Sequence, residues 1–466
     1  MPRYARNDTP LWPEEKDSAV YEESGAGSTG TILPDYPRKK RDWRTPFVSL
    51  KNRNFRLFII GSLIATTALQ MMQLAQNYLV YQLTGQATAI GYVSAALGFS
   101  MFFFSLTGGI AADRLPKRNL LMSGQIGIGI MALWIGVMVH TGLIEVWHIV
   151  VGGVITGIIA GFTMPARQSY VPDLVGDENL LNALALNSGV MNVTRIGGPA
   201  LAGILIAVIG IAPLYYAKFV GYSIFAIILL MIPIMGKSQV TASRSLLGDA
   251  LAGLRYLRHD RTVLELLIIG VFPVVLAMPY VNFLPVFQEE VFHVGSTELG
   301  LMMSVVGGGA VVGAMFIASI VNYRYKGRIL LATGIGFSAS IVLFTITANA
   351  GNFPLSLVML ALTGAAGTAY MSLNQALVMI LTPPEMRGRV TGLFMTTFGL
   401  QPLGALPIGM LSDAYGAPVT IGAFGAVTLV LFIGVFVFRP HMRRIQDHRD
   451  TNTLSQEENM DKPVEW

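Results

Sequence analysis

The sequence predicts an all-α integral membrane protein, with twelve transmembrane helices in two pseudo-symmetric six-helix halves. Three observations predict it. The 466 residues are 53% hydrophobic and only 13% charged, far too apolar for soluble domains of that length. Apolar stretches long enough to cross hydrocarbon, about 20 residues each, recur along the whole chain. Finally, Lys and Arg fall in alternate connections only, which is how the positive-inside rule marks one face of a membrane.

Residues 1–46 read as a disordered cytosolic tail. Its start, MPRYARNDTPLWPEEKD, lacks the apolar core of a cleavable signal peptide. It ends in the basic run Arg38, Lys39, Lys40, Arg41 and Arg44, which pins the orientation of the first span. Spans are expected at 55–83, 88–112, 119–141, 146–167, 180–209 and 213–236, making a first half of 47–236. A polar stretch, 237–262, reads as a cytosolic linker. Further spans at 263–290, 299–322, 328–349, 354–381, 391–412 and 418–438 make a second half of 263–438, and 439–466 is a cytosolic tail.

The cations supply the direction. One set of connections holds Arg114, Lys117 and Arg118, then Arg167, then Lys237 to Arg261, then Arg324, Lys326 and Arg328, then Arg387 and Arg389. The intervening connections, around Gly85, Thr141, Ile211, Phe292, Ala350 and Ala414, hold none. Both termini are therefore expected in the cytosol, which requires an even number of spans. The net charge of +5 is spent on topology, so no nucleic-acid partner is inferred. With no cysteine, thiolate metal sites and thiol nucleophiles are excluded; no metal or cofactor is expected. Nucleotide-binding, zinc-protease and serine-hydrolase motifs are absent, so the chain is not read as an enzyme.

The halves echo each other. RIGGPALAGIL, with Gly198, Gly203 and Leu205, has a counterpart in QPLGALPIGML, with Gly404, Gly409 and Leu411, at one constant offset. Paired six-helix repeats place a substrate site between them near the bilayer midplane.

After the second span comes GGIAADRLPKRNLL. It resembles the signature loop between helices 2 and 3 of the major facilitator superfamily, G-x-x-x-D-R-x-G-R-R/K. Gly109, Asp113, Arg114 and Arg118 match; Pro116 stands where glycine is usual and Lys117 replaces arginine. The resemblance implies a cytosolic latch for the outward-facing state. In the second half VNYRYKGR carries Asn322 at the aspartate's place, so a second latch should be weaker. FTMPARQSYVPDLVGDENLLNALALNSGVMNVTRIGGPALAGIL and LTPPEMRGRVTGLFMTTFGLQPLG resemble the enterobactin-exporter-like and macrolide-exporter-like branch, across most of residues 47–438. That branch implies efflux of small, often amphipathic molecules, driven by antiport of protons across an inner membrane, by a monomer. An uptake carrier, a lipid-handling protein or a transport-dead sensor on the same scaffold is the alternative. Gly198-Pro199 resembles an exporter-associated motif of the fifth helix, although its closing double glycine is Ala202-Gly203 here.

Candidate substrate-cavity residues follow from polar groups in apolar spans. Gln70, Gln73 and Asn77 fall at i, i+3 and i+7 on one helical face, with Gln76 to one side. Amides cannot sensibly face lipid, so they line a cavity or bond neighbouring helices; three on one face favour the cavity. Arg195, midway along the fifth span, needs either an anionic or polarised substrate group or a structural pairing with a carbonyl or carboxylate of a neighbouring helix. The repeat offset sets Gln401 opposite it. Asn282 lies among Pro273, Pro279 and Pro285, which interrupt backbone bonding. Asn374 and Gln375 complete the set, and Lys218 reads as a snorkelling side chain near the outer end of the sixth span. Gly153, Gly157 and Gly161 form overlapping G-x-x-x-G units for close helix packing. A coupling carboxylate is hard to find: the middle of the spans has no Asp, Glu or His. That leaves Asp113, Glu265, and Glu289 and Glu290 near the outer end of the seventh span.

Overall fold

The structure, a computed structural model, describes residues 45–176, 179–233, 255–257, 260–320, 323, 325–383 and 386–445. Much of the expected linker, both outer parts of the tails and Asn322 lie outside this set. A short 3-10 turn, Thr45–Lys51, precedes α1 (Arg53–Thr84), α2 (Ala87–Arg114), α3 (Lys117–His140), α4 (Val146–Val175), α5 (Leu180–Ile209) and α6 (Ala212–Met231). The second half comprises α7 (Arg261–Val291), α8 (Ser296–Ser319), α9 (Lys326–Asn349), α10 (Phe353–Leu381), α11 (Arg387–Phe398), α12 (Gln401–Tyr415) and α13 (Ala417–Phe438). No strand occurs among the described residues.

Eleven described helices are long and apolar enough to span a membrane. The eleventh expected span, 391–412, is not continuous: α11 stops at Phe398 and α12 starts at Gln401. Pro402 cannot donate to the Phe398 carbonyl four residues back. Gly399 fits there against α2, where an added Cβ would lie 2.5 Å from Phe102 Cδ2. The seventh span is irregular as its prolines predict. It runs as α-helix to Phe272, a π turn over Pro273–Ala277, a 3-10 turn over Met278–Phe283, and a further π turn over Phe287–Val291. Asp260 caps its start, accepting from Thr262 N and Val263 N at 3.1 Å. The Tyr256 hydroxyl donates to the same carboxylate, and burial beside it pushes the phenol up to about 12.

Glycines set the helix spacing. Gly157 and Gly161 of α4 lie on α2, where an added Cβ would sit 2.3 Å from Leu97 O and 2.9 Å from Phe104 C. In the second half Gly309 and Gly313 of α8 meet Ala361 O and Ala365 O of α10 in the same way, at 1.9 and 2.0 Å. The echoed segments also behave alike. Gly198 packs on α1 at Gln70 and Gly404 packs on α7 at Val275 O, each against the first helix of its own half. Five residues on, Gly203 packs on Ser296 O and Gly300 of α8, and Gly409 on Ala87 O and Thr88 of α2, each across to the other half. The sequence offset is therefore a repeat of contacts as well as of residue types.

Arg167 departs from its expected place in a connection. α4 continues to Val175, and the Arg167 guanidinium donates to the Ser62 and Thr66 hydroxyls of α1, tying two helices of the first half. The helix runs about two turns past the expected end at 167, because Pro165 and Pro172 are accommodated inside it.

Candidate functional site

The amide stripe of α1 opens onto a cavity of about 940 Å³. Gln70, Gln73, Gln76 and Asn77 all line it, including the glutamine expected to lie to one side. Facing them are Ser94 and Met101 of α2, Thr156 and Gln168 of α4, Asn282 of α7, and Gln401 with Pro402 of α12. The cavity thus lies between the two halves of the chain.

At one end it is closed by a seam. α2 packs on α12 and α5 on α8. Gly91 meets Ala405 O, Gly98 meets Pro402, Gly300 meets Pro199 O and Gly307 meets Arg195 O, all within 3.0 Å of an added Cβ. Hydrogen bonds cross at the same end. Ser296 Oγ donates to Gly203 O at 3.1 Å and Ser304 Oγ to Ile196 O at 2.9 Å. Asn77 Nδ2 donates to Asn282 Oδ1 at 3.4 Å, and Asn282 Nδ2 to Ser94 Oγ at 3.3 Å, forming a chain of polar groups across the cavity's end.

Two carboxylates of the second half complete the closure. Glu290 accepts from the Tyr81 hydroxyl of α1. Asp413, in the last turn of α12, accepts from Ala87 N at 2.6 Å and Thr88 N at 2.9 Å. It therefore caps α2 from the opposite half, since the local capping position, Gln86, supplies no side-chain bond. A carboxylate at a helix N-terminus is favoured by both orphan amides and the dipole. Beside it Glu290, Asp413, Gln86 and Tyr92 line a second recess of about 610 Å³ at the closed end. From the seam the main cavity extends the other way, to Met164 and Gln168 on α4 and Arg389 and Thr391 on α11.

A family model described as a transmembrane secretion effector matches residues 44–465. The chain belongs to this family of major facilitator transporters. The enterobactin exporter EntS of Shigella boydii serotype 18 is 24% identical over 415 residues, covering 87% of this chain and 97% of that protein. An Escherichia coli enterobactin exporter EntS is 24% identical over 424 residues, 89% and 99% of the two chains. Among solved structures, the nucleoside transporter NupG superposes with a TM-score of 0.66 at 16% identity, over 82% of this chain and 99% of that one. A bacterial homologue of the human lysosomal transporter Spinster, inward-facing and unoccupied, gives 0.68 at 13% identity, over 84% and 97%. These structures share the fold; it is a multi-pass membrane transporter fold, not an enzyme's.

Several residues stand elsewhere than expected. Arg195 does not line the cavity. It lies one turn before Pro199 on α5, where Gly307 of α8 packs on its carbonyl, and the residue is exposed. Asn374 is fully buried but turned to α7, donating to Leu266 O at 3.3 Å against Gly270. Its neighbour Gln375 is half-buried and is not part of the cavity wall. Periodicity gave α10 a polar step but not which neighbour it faced.

The described contacts of Arg118 and Lys117 stay within the first half. Arg118 Nη1 donates to Ile232 O at 2.8 Å and Lys117 pairs with Asp173 at 2.7 Å; Arg114 is exposed. Gly109 and Asp113 lie in the last turns of α2, and the Asp113 side chain lies outside the described residues. Beside Gly109, Gly108 makes the tight approach, 2.1 Å from Gly161 O for an added Cβ. Glu265 is engaged by Arg439 at 3.1 Å and His441 at 2.6 Å, an ion cluster tying the two ends of the second half.

Lys218 is the largest revision. It does not snorkel: it is 8% exposed and lines the cavity together with Tyr215. Its sequence signal was available, since Pro213 starts α6 and sets Lys218 two turns inside the span. Asp413 carried no such signal, because its partner is 325 residues away.

Proposed function

We propose that this transporter exports small amphipathic molecules by alternating access across an inner membrane, with both termini in the cytosol and the two six-helix halves rocking about the cavity. The observation that carries the reading is the amide-lined cavity between the halves, sealed by the glycine seam at one end and reaching Arg389 at the other. The alternate distribution of Lys and Arg supports taking the sealed end as the outer one. The kinship with enterobactin exporters supports outward movement of cargo. A monomer suffices, because both halves of the cavity wall come from one chain.

Proton antiport is part of the proposal. No Asp or Glu is among the described cavity-lining residues, so coupling falls to carboxylates that feel the closure itself, Glu290 and Asp413. Everted vesicles test this with a panel of fluorescent amphipathic compounds. Uptake that needs an imposed pH gradient and collapses with an uncoupler is expected. Movement indifferent to the gradient would retire antiport, and no movement of any compound would favour a sensor or lipid-handling role.

A further inference from the structure

Tyr215 and Lys218 are a pair of donors without an acceptor. They lie three residues apart on α6, so they share a face, and both line the cavity. Both are more than nine-tenths buried. Among the described residues the Tyr215 hydroxyl has no hydrogen-bond partner, and the Lys218 ammonium forms no ion pair, resting 5.7 Å from the centroid of the Tyr222 ring. A desolvated ammonium is costly unless a counter-charge meets it. Arg389 also lines this cavity, and its described lining includes no carboxylate. Around the pair the wall is apolar, formed by Met72, Ala132 and Ile135.

We infer that the cavity selects anionic amphipathic molecules, whose carboxylate, sulfonate or phenolate accepts hydrogen bonds from Lys218 Nζ and Tyr215 Oη while an apolar body lies along Met72, Ala132 and Ile135. The inference rests on the cavity being the transport site, but not on the direction of transport or on its coupling. It also assigns the role expected of Arg195 to a different cation: substrate charge is met from α6, deep in the wall, and not from α5 at the end of the seam.

The test is equilibrium binding to the full chain in lipid nanodiscs, using three probes with one ring system: 2-naphthoate, 2-naphthamide and 2-naphthylmethylammonium. The wild-type chain should bind naphthoate about tenfold or more tighter than the amide, with the ammonium compound weakest. Lys218→Met should abolish this ordering, Lys218→Arg should keep it, and Tyr215→Phe should weaken naphthoate several-fold while leaving the amide within about twofold. Equal binding of the three probes by the wild-type chain, or a naphthoate preference that survives Lys218→Met, overturns the inference. The wild-type ordering decides the matter even if Lys218→Met does not fold. Binding needs no gradient, so a charge preference without vesicle transport retires only the carrier proposal, and transport without a charge preference retires only this one.

Discussion

Asp413→Ala is expected to unlatch the sealed end of the cavity. The carboxylate supplies acceptors for two α2 amides that no other described group satisfies, at 2.6 and 2.9 Å, across the boundary between the halves. Losing an N-cap acceptor costs about 0.5–2 kcal/mol, and the negative charge at the helix N-terminus adds about 0.3–1 kcal/mol. These contacts belong to the closed arrangement, so their loss falls on the equilibrium between states and not on either half. A change near 1.4 kcal/mol moves such an equilibrium about tenfold. A cysteine placed at Gln73 should therefore react roughly tenfold faster with an impermeant maleimide applied from the sealed side. Asp413→Asn, which keeps an acceptor and loses the charge, should fall between. Unchanged reactivity in both variants would mean that Asp413 only decorates a seam held by packing.

The second large effect is expected from wedging that seam directly. At Gly203 an added Cβ would lie 2.5 Å from Ser296 O and 2.9 Å from Gly300 Cα; at Gly409 it would lie 2.7 Å from Ala87 O and 3.0 Å from Thr88 Cα. These are backbone atoms of the opposing half, so no rotamer change relieves the clash. Gly203→Val and Gly409→Val should each penalise closure by about 1–3 kcal/mol while leaving the helices of each half packed. Spin labels at Gln86 and Tyr415, both exposed at the sealed end, report the result. Their distance distribution should shift to longer values in either variant. Gly309→Val is the control: its clash, 1.9 Å from Ala361 O, lies within the second half, so it should lower thermal stability without lengthening that distance.

What the sequence made legible was whatever depends on local pattern. Hydropathy and the alternating cations located the spans, and most helix limits fall within a few residues of those expected. The i, i+3, i+7 amides of α1 announced a polar face, and the three prolines of α7 announced an irregular helix. The repeat offset carried real contacts, with Gly203 and Gly409 each crossing to the other half. What stayed hidden depends on which surface a face meets. Asn374 and Gln401 look alike in sequence, yet α10 turns one into a helix contact while α12 presents the other to the cavity. Lys218 is buried and Arg195 exposed for the same reason: a cation's burial is decided by where neighbouring helices part, and no periodicity records that. Asp413 was invisible because a capping residue from a distant helix leaves no mark in the sequence near the helix it caps.

The chain has no native cysteine, so a thiol placed at Gln73 is the sole reactive group in a labelling experiment. Its modification by an impermeant maleimide, in right-side-out and everted vesicles, tests most directly whether this polar cavity opens to either side in turn. The account predicts reaction from the Arg389 side in the wild-type background and a roughly tenfold faster reaction from the opposite side when Gly203→Val or Asp413→Ala weakens the seam. A thiol protected from both sides in every background, or one modified equally from both at once, would contradict it.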